Sequence, residues 1–107
     1  MAKTVVIGAS SGLGRCIGIG LAERGDQVAL LARRRERIEN AANEAGVDAV
    51  AVVCDVTDEA SVRSAIAAAA EGLGGIDNLV YTPAIGSVMR LVDTDAETWR
   101  SVFATNV

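Results

Sequence analysis

Thr4-Val5-Val6-Ile7-Gly8-Ala9-Ser10-Ser11-Gly12-Leu13-Gly14 is the stretch on which the fold of this chain turns. A β-branched run that stops at a glycine, with two more glycines close behind, predicts a strand, a tight turn and the start of a helix. Leu13, Ile17 and Leu21 recur at helical spacing, and Gly25 is placed to end the helix. Gly18 and Gly20 inside it each cost about 1 kcal/mol of helix propensity, which suggests a helix lying close against a sheet. A turn of this kind presents free backbone N–H groups and the positive end of a helix dipole, a ready seat for a pyrophosphate. Ser10 and Ser11 add hydroxyl donors.

Other readings overlap the same residues. Gly8-Ala9-Ser10-Ser11-Gly12 matches the Gly-x-Ser-x-Gly nucleophile elbow, but acyl transfer from that serine needs a histidine, and the chain has none. The phosphate-binding P-loop needs Lys and then Ser or Thr after its second glycine, whereas Leu13 follows Gly12. A tight turn with no ligand is the plain alternative.

Working outward, Val28–Ala32 is a continuous apolar run, the pattern of a strand covered on both faces. Arg33-Arg34-Arg35 opens a polar helix that runs to about Ala45, with Gly46 as its stop. Ala49–Cys54 is a third strand. Thr57 is expected to cap the next helix, with Val62, Ile66, Ala69 and Leu73 as its apolar stripe. Asn78–Tyr81 is a fourth strand, and Thr94-Asp95-Ala96-Glu97 has the form of a capping box opening a last helix. Strand and helix alternate four times. The expected fold is therefore α/β, a Rossmann-like doubly wound parallel sheet of about four βα units with right-handed crossovers. Residues 1–107 are expected to form the N-terminal portion of such a domain, since the last helix runs to Val107 without a stop signal.

Composition narrows the chemistry. Half of the 107 residues are hydrophobic and 22% are charged, which excludes a disordered chain. Aromatics make up 3% and the net charge is −4, which argues against both base stacking and phosphate-backbone binding, so no nucleic acid partner is expected. Lys3 is the only lysine, so a histidine base or a buried lysine would have to come from outside these residues. Cys16 and Cys54 lack the spacing of a zinc site or a disulfide framework and are expected to be reduced and buried, with no metal. There is no signal-peptide pattern and no uncharged run approaching the ~18–20 residues that span a bilayer. The expectation is a cytoplasmic protein without a membrane partner.

With these motifs in view, the chain resembles the N-terminal, cofactor-binding part of a short-chain dehydrogenase/reductase. Four markers carry the resemblance in the family's order: Gly8-Ala9-Ser10-Ser11-Gly12-Leu13-Gly14, Ala32-Arg33, Cys54-Asp55-Val56 and Ala104-Thr105-Asn106-Val107. It covers essentially the whole chain. It implies that the turn from Gly8 to Gly14 holds the pyrophosphate and adenine ribose, with Ser10, Ser11 and Leu13 nearest the ligand, and that Asp55 and Val56 border the adenine. An acidic side chain at the end of the second strand would accept from the 2′-hydroxyl of NAD, whereas a cation there attracts the 2′-phosphate of NADP. Ala32-Arg33 favours NADP over NAD, with Arg33 the donor and Arg34, Arg35 and Arg37 a solvated basic helix start. Asn106 matches the helix asparagine that supports the family's proton relay. The relay's Tyr-x-x-x-Lys pair has no match here, because Tyr81 is the only tyrosine and Ile85 stands four residues on.

The family's Asn-Asn-Ala-Gly is replaced by Tyr81-Thr82-Pro83-Ala84, where the proline removes an N–H and the lost glycine restricts approach to the ribose, so Tyr81 is the least regular of the implied cofactor contacts. Ile7 stands where the family usually has Thr. The resemblance implies an NADP-dependent oxidoreductase that moves hydride between nicotinamide and a small-molecule carbonyl or alcohol, assembled as a homo-oligomer through the helix of Trp99 and Phe103. The alternative is a non-catalytic nucleotide-binding or interaction module. The 107 residues purified alone are expected to show no NADPH-dependent carbonyl reduction, and steady-state NADPH oxidation against a panel of carbonyl compounds checks this.

Overall fold

A strand covered on both faces needs apolar side chains at every position, and Lys3–Ile7 (β1) and Gln27–Ala32 (β2) come close to that rule. Val5, Val6, Val28, Ala29, Leu30 and Leu31 are all at or below 1% exposure. The computed structural model describes residues 2–46, 48–83 and 91–106. Ala84, Ile85 and Val107, named above, lie outside these.

Gly12–Glu23 (α1), Arg35–Ala45 (α2), Val50–Val53 (β3), Glu59–Leu73 (α3) and Asn78–Tyr81 (β4) follow, then a short 3-10 turn at Leu91–Asp93 and a helix at Ala96–Asn106 (α4). The four strands pair in parallel in the order β3-β2-β1-β4. Val5 stands opposite Ala29 on one side and Leu79 on the other. Alternation along the strands divides the core in two. Val5, Ile7, Ala29 and Leu31 meet Ala65, Ala69 and Leu73 of α3, while Val6, Val28 and Leu30 meet Ala41 and Ala42 of α2 together with Ile17 and Leu21 of α1. The parallel sheet with helices on both faces is thus the architecture expected from the alternation of strand and helix.

Several local expectations are corrected. Asp58, one residue after Thr57, caps α3 by accepting from the Ala60 and Ser61 N–H groups. Asp95 caps α4 in the same way, its Oδ1 accepting from Thr98 N at 2.8 Å, one residue beyond the expected Thr94. A carboxylate at these positions satisfies orphan N–H groups and complements the helix dipole. Cys16 is exposed; only Cys54 is buried. Leu13 is 69% exposed at the turn end of α1. No described residue of α4 is buried, and Trp99 and Phe103 stack there at 6.0 Å between ring centroids, both exposed. Among the described residues, no helix is long and apolar enough to cross a membrane.

The two glycines inside α1 differ in cause. A Cβ on Gly18 would lie 2.5 Å from Leu30 Cδ2, a fully buried methyl, whereas a Cβ on Gly20 would meet nothing within 4 Å. Close approach to the sheet explains Gly18 and leaves Gly20 unexplained. Gly18→Ala is expected to lower stability by about 1–2 kcal/mol, overpacking outweighing helix propensity. Gly20→Ala is expected to raise it by about 0.5–1 kcal/mol. Urea unfolding followed by circular dichroism measures both.

Candidate functional site

In a parallel sheet the loops that leave the strand C-termini gather along one edge, and here they enclose a cavity of about 660 Å³. The turn after β1 and the first turn of α1 contribute Gly8, Ser10, Ser11, Leu13 and Gly14, and the end of β2 with the residue after it contributes Ala32 and Arg33. Asp55 and Val56 come from the loop after β3. Eight of the eleven site residues expected from the sequence therefore share one cavity wall. Gly12, Tyr81 and Asn106 do not line it.

The turn is built by hydrogen bonds and by missing side chains. Gly8 N and Ala9 N both donate to Leu31 O, at 2.8 and 3.2 Å, fastening the turn to β2. Gly8 has φ +88° and Gly12 φ +57°, values that disfavour any side chain. The first turn of α1 then leaves its N–H groups open. Ser11 is the N-cap but its side chain makes no capping bond, and the turn contains no acidic residue. The N–H groups at the start of an α-helix have no intrahelical acceptor, so this turn offers donors and a positive dipole end to an anion. That fits a pyrophosphate.

The loop after β3 is fixed from within. Thr57 donates to Asp55 Oδ1 twice, from its hydroxyl at 2.6 Å and its N–H at 3.0 Å, while Asp55 N donates to Ser61 Oγ at 2.9 Å. The two Thr57 bonds hold the Asp55 carboxyl below its ordinary range, and the charge of Arg33 adds to the effect. Burial pushes the neighbouring Cys54 thiol up, so it stays protonated on the cavity wall.

Other wall residues carried no signal strong enough to single them out. Arg34, the extended N-cap of α2, and Arg37 on its first turn also line the cavity, although the basic run was expected to be only a solvated helix start. Among the described residues Arg33, Arg34 and Arg37 form no ion pair, whereas Arg35 lies 3.9 Å from Glu39. Ser101 and Thr105 of α4 reach the same cavity, at one-face spacing. Thr82 and Pro83 close it after β4. The Tyr81 hydroxyl is turned instead to α4, donating to Thr105 O. Asn106 is the last residue of α4.

Comparison with known proteins agrees with this geometry. The family model for short chain dehydrogenases matches residues 2–107. An uncharacterised oxidoreductase of Staphylococcus aureus (strain USA300) is 34% identical over 104 residues, which span 96% of this chain and 45% of that protein. Actinorhodin polyketide ketoreductase, in a variant solved with NADPH, superposes with a TM-score of 0.91 at 31% identity, over 97% of this chain and 41% of the other. A 3-ketoacyl-(acyl-carrier-protein) reductase from Brucella melitensis, complexed with NADH, gives 0.91 at 28% identity over 97% and 43%. The chain thus spans less than half the length of these relatives.

Thr57→Val removes the shorter bond to Asp55 and is expected to return its carboxyl toward the ordinary pKa of about 3.9. A carboxyl held low in the folded state stabilises it above the ordinary carboxylate range, and that stability is lost as pH falls through the folded value. The variant should therefore keep less of this contribution at neutral pH. Carbon-detected NMR titration of Asp55 in both proteins reads the shift.

Proposed function

Because this chain belongs to the short-chain dehydrogenase family, we propose that it is the cofactor-holding portion of an NADP-dependent oxidoreductase acting on a small-molecule carbonyl or alcohol. The observation that carries the cofactor preference is the wall of Arg33, Arg34 and Arg37, three guanidinium groups without an ion-pair partner among the described residues, at the end of a strand that carries no carboxylate. A 2′-phosphate matches such a wall, since guanidinium binds phosphate oxygens in a fork and stays charged at any physiological pH. NADPH in the ketoreductase relative is consistent with this reading, and NADH in the Brucella relative makes it one to be measured.

In this reading the residues of the chain bind and orient. The open N–H groups of α1 and the hydroxyls of Ser10 and Ser11 hold the pyrophosphate, while Asp55 and Val56 border the adenine. Leu13, exposed and apolar, covers the dinucleotide from the turn. The bound cofactor supplies or takes up hydride at its nicotinamide. Asn106 would support the proton relay, whose Tyr-x-x-x-Lys pair is not among these 107 residues. The exposed Trp99–Phe103 stack supports assembly with further copies.

Arg33→Ala is expected to raise the Kd for NADPH about 10- to 100-fold and to leave that for NADH within about twofold. Quenching of protein fluorescence on titration with each nucleotide measures both. Equal affinity for the two nucleotides, with Arg33→Ala changing neither, would overturn the NADP assignment.

A further inference from the structure

Where a strand ends, consecutive residues leave it on opposite faces, so two adjacent side chains can hold two different walls of one cleft. At the end of β4 these are Tyr81 and Thr82. The Thr82 N–H donates to Ile7 O at 3.0 Å, and its hydroxyl donates to the same oxygen at 2.8 Å and lies 3.3 Å from Gly8 O. That hydroxyl occupies the room left by two glycines, since a Cβ on either Gly8 or Gly14 would lie 2.5 Å from Thr82 Oγ1. Thr82 is therefore keyed between the strand end, the turn and the first turn of α1. On the other face the Tyr81 hydroxyl donates to Thr105 O. Thr105 lines the cavity, and its carbonyl belongs to the peptide that leads into Asn106. Among the described residues, α4 buries no side chain.

We propose that Tyr81 and Thr82 form a two-sided clasp that sets the cofactor cleft, Thr82 positioning the glycine turn and Tyr81 positioning α4. Neither residue needs to touch the dinucleotide to do this. Thr82 holds the carbonyl ends of β1 so that the α1 N–H groups stay aimed into the cavity, and Tyr81 holds the cavity-facing turn of α4. The clasp rests on the reading that a nicotinamide dinucleotide occupies this cavity. It adds that affinity for the shared part of NADPH and NADH is governed by two side chains at the end of β4, separately from the arginine wall.

The test is the Kd of the protein expressed from its complete coding sequence for NADPH and for NADH, in Thr82→Val, Thr82→Ser and Tyr81→Phe, with Tm recorded for each. Thr82→Val keeps the shape and loses the hydroxyl, and should weaken both nucleotides by the same factor, about tenfold. Thr82→Ser restores the hydroxyl and should bind within about threefold of the parent; Tyr81→Phe should weaken both nucleotides about threefold. A parent protein that binds neither nucleotide overturns the dinucleotide reading, and the clasp with it. A parent that binds, with a folded Thr82→Val that binds within about twofold of it at a lowered Tm, gives Thr82 a merely structural role and overturns the clasp alone. If Thr82→Val does not fold, Tyr81→Phe decides, and unchanged affinity there overturns the proposal.

Discussion

A Cβ on Gly14 would lie 2.2 Å from the carbonyl oxygen of Gly8, closer than any real side chain can sit. The first turn of α1 is thus stacked directly on the backbone of the strand-to-helix turn, and the rest of the edge is arranged around that contact. It fixes where the helix begins, and so where its unpartnered N–H groups point. It leaves a gap that Thr82, arriving from β4, fills with its hydroxyl. Any residue but glycine at position 14 would separate α1 from β1 and disengage β4 at the same time. Two elements distant in sequence therefore depend on one absent methyl group.

The strand order turns that local contact into a cleft. From β1 the chain moves outward to β2 and β3, then returns to place β4 on the other side of β1. The connections leave the sheet in opposite directions at β1, which opens a crevice beyond the strand C-termini at that point. Gly8 lies there, bonded to β2 through Leu31 O and approached from β4 by Thr82 and Pro83. The cavity is a product of topology before it is a product of particular side chains. The side chains then divide it, with arginines at the β2 end, a fixed carboxylate at the β3 end and apolar Leu13 over the turn.

Much of this was legible in the residues because the relevant physics is local. The apolar runs of β1, β2 and β3 show a sheet covered on both faces, and the glycines of the turn mark the backbone approach whichever way the rest packs. Caps were legible only to within one residue, since Thr57 and Asp58, or Thr94 and Asp95, offer equivalent acceptors and only the final backbone path chooses between them. The direction of Tyr81 was not legible at all. Its family position suggests a cofactor contact, but whether its hydroxyl faces the cavity or α4 depends on a helix that begins 15 residues later. Thr82 was hidden for a similar reason, because its partners are the carbonyls of Ile7 and Gly8, some 75 residues earlier. Contacts set by long-range packing leave no periodic trace.

A chain of net charge −4 that is to hold a polyanion must overcome its own field locally. Screening makes this possible, because at physiological ionic strength charges more than about 8 Å away count for little. What matters is the sign of the nearest groups. The first turn of α1 carries no acid, and three cavity arginines are left without carboxylate partners among the described residues. Arg35, on the same basic run, is instead matched to Glu39. Asp55, the one acid on the cavity wall among the described residues, has an oxygen held by both donors of Thr57, and Arg33 influences it through space without forming an ion pair. Pairing Arg33 with Asp55 would cancel the cation that distinguishes a phosphate from a hydroxyl. By holding the carboxylate with neutral donors, Thr57 leaves that guanidinium available. Cofactor preference in this site is thus a matter of which cations are left unpaired, as much as of which are present.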